Sequence, residues 1–225
     1  MFSAFNELQL STKTANSYID IIKVSLHDVL FQDELNISFS SLWNQVYQLS
    51  TFHHAEILYK EIIHLFKKYS LYLHHKLIII TDHNLFFVTL LDYYQEYKQK
   101  VKVICDVLTY LDVTYCLKIK KQGLFHTAFN CFQNYVLLEQ HLSDQKIIID
   151  RFQNISNNNF SNFSLNKLLS LLIEVTSYTQ CIELKGNVFG HIYQAKSPYE
   201  FVNYTLDLYK SFFEDNFLLH QKTMF

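Results

Sequence analysis

The chain has 225 residues and a formal net charge of −2; 49% of it is hydrophobic, 16% aromatic and only 18% charged. That length buries a core without staples, its 20 Phe and 16 Tyr exclude disorder, and no apolar run reaches the ~18 residues of a spanning helix. Three Gly and one Pro exclude folds rich in tight turns, and with them every Gly-rich phosphate loop, so composition predicts an all-α protein.

Residues 1–13 are expected to form a flexible N-terminus. From Ala15 onward, Tyr18, Ile19, Ile22, Val24, Leu26, Val29 and Leu30 mark a helix with a broad apolar face. Ser38 is the expected N-cap of a second helix. It carries Phe39, Leu42, Trp43, Val46, Tyr47 and Leu49 at i, i+3, i+4, i+7 and i+8 spacing. Phe52-His53-His54 interrupts the pattern. A long helix follows, with Ile57, Leu58, Ile62, Leu65, Phe66, Tyr69 and Leu73 expected inward, and Glu56 and Lys60 an i,i+4 pair in the favourable order.

Asp82 or Asn84 is the expected cap of the next element, Leu85 to about Leu117, as one curved helix or two. Gly123 precedes a short helix over residues 124–138. Residues 153–164, rich in Asn and Ser, form the predicted loop of the middle of the chain. Beyond it, 165–184 is predicted helical with Gly186 at its C′ position. Ser197-Pro198-Tyr199-Glu200 spells a capping box for a last helix. The pattern amounts to about seven or eight helices, many apolar on more than one face, as in a layered array.

Catalysis finds no support. Glu61 and His64 have the ExxH form of a carboxylate-bridged metal site, but no second ExxH accompanies them. His53-His54 and His74-His75 are adjacent pairs, whose side chains diverge by about 100° on a helix and cannot share a metal. His74 and His75 fall near a helix end, where cations are favoured. No cofactor or metal is expected. Cys105, Cys116, Cys131 and Cys181 form no CxxC and are expected as buried free thiols. Lys118, Lys120 and Lys121 are the densest basic cluster; they are expected to be a solvated helix end, and no nucleic acid is a predicted partner. Neither a signal peptide nor a membrane segment is expected. Phe39, Trp43 and Tyr47 form an aromatic row displaced by about 100° from the apolar face of Leu42, Val46 and Leu49. A flanking row of this kind is the type of surface that anchors a partner.

Ser38-Phe39-Ser40-Ser41-Leu42-Trp43-Asn44-Gln45-Val46-Tyr47 resembles the second helix of the cullin N-terminal domain, roughly S-F-x-x-L-Y-x-x-x-Y. Further blocks follow in the family's order: residues 55–60, 90–97, Tyr110-Leu111-Asp112-Val113-Thr114-Tyr115, 125–136, and Phe201-Val202 with Thr205 and Tyr209. The resemblance spans residues 38 to about 215. Val113 stands where the family usually has Arg, and the Trp expected near Tyr94 or Tyr97 is replaced. The short link from His53 to Ala55 is more similar to cullins that bind BTB adaptors than to those that bind Skp-type adaptors.

The resemblance implies an elongated cullin-repeat-like helical array, with 14–152 as a first repeat and 165–225 as the start of a second. It implies a non-catalytic scaffold that binds a BTB/POZ- or Skp-type adaptor of a ubiquitin ligase, in the cytoplasm or the nucleus. The implied adaptor-binding residues are Phe39, Trp43, Tyr47 and Tyr115, with Asn44 and Gln45 as a polar rim. Nothing in the 225 residues corresponds to the family's C-terminal half, so direct binding of a RING subunit is not expected, and a truncated or competing form is. The alternative is an unrelated helical-repeat module such as a vesicle-tethering subunit.

Overall fold

A computed structural model describes residues 10–32 and 38–137, together with 167–168, 170–174, 177 and 204. Cys181, the Asn/Ser-rich stretch, Gly186 and the Ser197–Glu200 capping box lie outside the described residues. So does most of the Phe201–Tyr209 block. Within the described residues every regular element is helical and no strand occurs.

Helix α1 spans Thr12–Gln32. The Ser11 hydroxyl accepts from the Thr14 amide at 3.1 Å and caps it, so the helix starts earlier than Ala15. Ala15, Ile19, Ile22, Leu26, Val29 and Leu30 are buried. Val24 belongs to the apolar stretch by composition but is 61% exposed. Helix α2 spans Phe39–Thr51. Its cap is Ser38, whose hydroxyl accepts from the Ser41 amide at 3.3 Å, and Leu42, Val46 and Leu49 face inward. Helix α3 spans Ala55–Ile78 and α4 spans His83–Val107. Of the two expected caps Asp82 is the one used: its carboxylate accepts from the Leu85 amide at 2.7 Å.

The long element expected to reach Leu117 breaks at Leu108. Helix α5 begins at Thr109–Leu111 and passes directly into a π-helical turn over Asp112–Cys116. Helix α6 spans Leu124–Phe132 and likewise ends in a π-helical turn, Gln133–Leu137. Asp112 ties α5 to α6 across the intervening loop. Its carboxylate accepts from the Leu124 amide at 2.9 Å, satisfying a donor that the first turn of α6 leaves open. A methyl group on Gly123 would sit 3.2 Å from the same carboxylate, so the small residue leaves room for the cap. Asp112→Ala is expected to lower stability by about 1–2 kcal/mol and Asp112→Asn by much less. Chemical denaturation of the three proteins measures the difference.

The described residues fall into two compact units. One takes its residues from Met1–Phe66 and Gln99–Phe125, the other from Lys67–Lys98 and His126–Phe225. In the first unit α1, α2 and the early part of α3 meet the end of α4 and α5. Lys23 on α1 pairs with Glu61 on α3 at 2.7 Å. Lys100 on α4 is buried, and its ammonium donates to the Leu30 carbonyl at 2.7 Å. That carbonyl lies in the last turn of α1, where backbone acceptors are open and a cation is favoured.

The second unit is built around stacked rings. Tyr69 and Tyr97 lie nearly parallel with centroids 5.8 Å apart. Phe129 meets the edges of Tyr94 and Tyr97 at 5.9 and 5.8 Å. The Tyr97 hydroxyl donates to the Ala128 carbonyl at 2.6 Å and the Tyr69 hydroxyl to Glu96 at 2.9 Å. Tyr94 and Tyr97 are fully buried, so the positions where the family's Trp is replaced belong to the core.

Two expectations for histidine meet different outcomes. His75 lies in the last turn of α3 and is exposed, as expected of a residue near a helix C-terminus. His74 is fully buried, with its ring edge on that of His75 at 5.6 Å. It is a packed core ring, because neighbouring residues on a helix point to different faces.

Candidate functional site

The α2–α3 connection is set by a backbone device. Phe52 is the C-cap of α2, and His53 follows at φ 67°, in the left-handed region. The His54 amide then donates back to the Leu49 carbonyl at 2.9 Å. This is a Schellman closure, which usually places Gly at the left-handed position. Helix α5 closes in the same way. Lys120 has φ 54°, and the Lys121 amide donates to the Cys116 carbonyl at 2.9 Å. With only three Gly in the chain, both closures hold a bulky residue where a Cβ is unfavourable.

The aromatic row runs along α2 ahead of the first closure. Leu42, Val46 and Leu49 are fully buried, whereas Phe39, Trp43 and Tyr47 are 45%, 40% and 39% exposed. The two sets therefore occupy different faces of α2, as their spacing predicts. Trp43 stacks on Tyr47 with centroids 5.9 Å apart and 14° between planes. Phe39 begins the row and makes no ring contact among the described residues.

The fourth ring is Tyr110, which sequence reasoning missed. It meets Trp43 edge-on at 6.1 Å and Tyr47 at 4.7 Å. Tyr115, chosen from the same motif, does not join the row. It packs on Tyr59 at 5.5 Å, and the Lys121 ammonium sits over both rings, 4.9 Å from Tyr59 and 5.7 Å from Tyr115. Tyr115 lies five positions past Tyr110, beyond the onset of the π-helical turn at Asp112, and the two rings reach different neighbours, Tyr110 on α2 and Tyr115 on α3. Tyr110 opens the same Tyr-Leu-Asp motif from which Tyr115 comes.

Asn44, next to Trp43 on α2, is exposed. Gln45 is half-buried, and its side-chain oxygen is covered and without a hydrogen-bond partner among the described residues. It is therefore placed beneath the rim. Beyond Tyr47 the row runs into a cleft of about 420 Å³, lined by Ser50, His53, Glu56, Thr114, Tyr115 and Lys118. Glu56 is held below its ordinary carboxylate value by its hydrogen bond and ion pair with Lys60 at 2.7 Å.

The remaining chemical candidates resolve into structure. Glu61 is engaged by Lys23 and His64 is exposed. Among the described residues no group of three His, Cys, Asp or Glu is placed to hold a metal. No described helix is long and apolar enough to cross a membrane.

Cys105, Cys116 and Cys131 are free thiols. Burial pushes each up to about 12, with Asp112 adding to the effect at Cys105 and Cys116. The thiolate is the reactive form, so all three are expected to react slowly with a disulfide reagent at pH 8 until denaturant is added. Cys105 is the least covered and is expected to lead. The sign for stability follows from the raised values. Above pH ~9 the unfolded chain releases thiol protons that the folded chain retains, so stability falls between pH ~9 and ~12.

Among the described residues the helices present one face of clustered rings on α2 and α5. Residues 19–225 match the cullin α-solenoid domain, and the chain belongs to the cullin family. No curated protein matches it. Membership removes the alternative of an unrelated helical-repeat module.

Proposed function

We propose that this chain is a non-catalytic cullin-type scaffold module whose aromatic row binds a BTB/POZ- or Skp-type adaptor of a ubiquitin ligase, in the cytoplasm or the nucleus. The observation that carries the reading is the division of α2. One face is fully buried, and the other holds Phe39, Trp43 and Tyr47 half in solvent, with Tyr110 braced behind them. Rings are costly to leave exposed and are the side chains that most often anchor interfaces. A standard interface buries about 1,600 Å² in total, with a few aromatic anchors carrying most of the energy.

The tight closure at His53 is the short link whose resemblance favours a BTB-type adaptor over a Skp-type one. In this reading residues 14–152 form the first cullin-like repeat and 165–225 begin a second. The 225 residues hold an adaptor and recruit no RING subunit directly. Titrating the purified chain with a purified BTB-domain adaptor and, separately, a purified Skp-type adaptor tests the reading by calorimetry. Saturable binding of one adaptor to one chain is expected, with the BTB-domain protein the tighter. Absence of heat with both at high micromolar concentration would overturn it.

A further inference from the structure

Three lysines crowd the closing turn of α5: Lys118, Lys120 and Lys121, in a chain of net charge −2. All three are exposed, and none forms an ion pair with a carboxylate among the described residues. Their positions are imposed by the fold. Lys118 lines the cleft with Ser50 and His53, one turn past Tyr47 on α2. The left-handed backbone at Lys120 turns the chain back, and Lys121 settles over the Tyr59 and Tyr115 rings. The nearby acid, Glu56, is already occupied by Lys60. The basic turn thus borders the end of the aromatic row, and among the described residues the carboxylate that feels its charge, Glu56 beside Lys121, is shared with Lys60.

The row and the turn are linked by apolar surface. Val113 and Leu117, on the segment between Tyr110 and Lys118, are 56% and 69% exposed. Helices α2 and α5 therefore present rings and aliphatic side chains, then an excess of positive charge at one end among the described residues. Charge complementarity at such a border sets the orientation of a partner and speeds its encounter, while the buried rings carry most of the affinity.

We propose that the partner docks on this face as a protein surface with an apolar patch bordered by an acidic segment, the patch on Trp43, Tyr47 and Tyr110 and the acidic segment on Lys118, Lys120 and Lys121. The inference rests on the adaptor-binding reading and adds to it the chemistry and the orientation of the adaptor. The acidic segment lies at the α5-closing end of the row and faces away from Phe39.

The test compares three variants with wild type for binding to the purified BTB-domain and Skp-type adaptors at about 0.05 M and about 0.5 M salt. At the higher salt charges are screened beyond ~4 Å. The triple variant Lys118→Glu/Lys120→Glu/Lys121→Glu is expected to associate roughly ten- to a hundredfold more slowly at low salt and nearly as fast as wild type at high salt. Trp43→Ala is expected to lose affinity at both salts. Lys120→Gly separates charge from folding: it relieves the left-handed backbone, so its melting temperature is expected to rise while its low-salt association slows. In the complex, the three lysines are expected to be protected from acetylation.

Wild-type rates and wild-type salt dependence in the triple variant overturn the inference and leave the aromatic site standing. Unchanged binding by Trp43→Ala, or binding to neither adaptor, overturns the adaptor reading and the inference with it. Binding of a single-stranded RNA oligonucleotide that is lost in the triple variant and displaces the adaptor assigns the lysines to nucleic acid, and also overturns the inference.

Discussion

Replacing Trp43 and Tyr47 together by Ala is expected to abolish the proposed adaptor binding at micromolar concentration and to leave the helix content unchanged. The expectation rests on the placement of the two rings. Both are about two-fifths exposed, stacked on each other and braced by Tyr110. An aromatic truncated at the centre of an interface costs about 2–4 kcal/mol, so the pair weakens binding by roughly a thousandfold or more. The stability cost is smaller, about 1–2 kcal/mol, because what is lost within the chain is ring–ring contact at a half-exposed surface. Leu42→Ala is the contrasting control. Leu42 is fully buried on the adjoining apolar face of the same helix, so its truncation is expected to cost about 2–5 kcal/mol of stability. Tyr110→Ala is expected to weaken binding more than Tyr115→Ala, since only Tyr110 touches the row. Calorimetric titration paired with thermal melting separates these outcomes. A double variant that binds like wild type would falsify the assignment of the row.

The second large effect lies in the ring cluster of the other unit. Phe129→Ala is expected to lower stability by about 3–5 kcal/mol, at the high end for a core truncation. Phe129 is fully buried and meets the edges of both Tyr94 and Tyr97, so its removal leaves a cavity against those two rings that cannot collapse without breaking their geometry. Tyr97→Phe isolates the polar share. It keeps the ring and deletes the 2.6 Å bond to the Ala128 carbonyl, for an expected loss of about 1 kcal/mol. Denaturant unfolding followed by circular dichroism reads both. A Phe129→Ala midpoint within error of wild type would show that the cluster is not a core.

The family assignment was legible because ordered blocks of apolar and aromatic residues survive where individual motif positions do not. Trp is replaced near Tyr94 and Tyr97, yet Tyr rings fill a buried cluster there, and the pattern of ring positions is what the resemblance reads. The same logic grouped Tyr115 with the row, whereas the ring that meets Trp43 and Tyr47 is Tyr110 and Tyr115 packs on Tyr59. A motif gives the distance between residues along the chain; which of them reaches a neighbouring helix depends on rotation about the axis. Here α5 starts afresh after Leu108 and turns with π-helical spacing from Asp112. Linear spacing carries no record of either event.

Composition and periodicity determined that this chain is helical, where α2 begins and which of its faces is buried, since Gly scarcity, Ser38 and the 3.6-residue stripe are local properties. They also determined the Glu56–Lys60 pair and the capping role of a residue just before α4. Only the tertiary structure decided that Tyr110 completes the aromatic row, that His74 is core, that Asp112 caps α6, and that Lys120 adopts a left-handed backbone that sets Lys121 over two rings. Each of these depends on contacts between elements distant in sequence, or on a backbone state that packing imposes against the residue's own preference. Neither is encoded in the periodicity of a single helix.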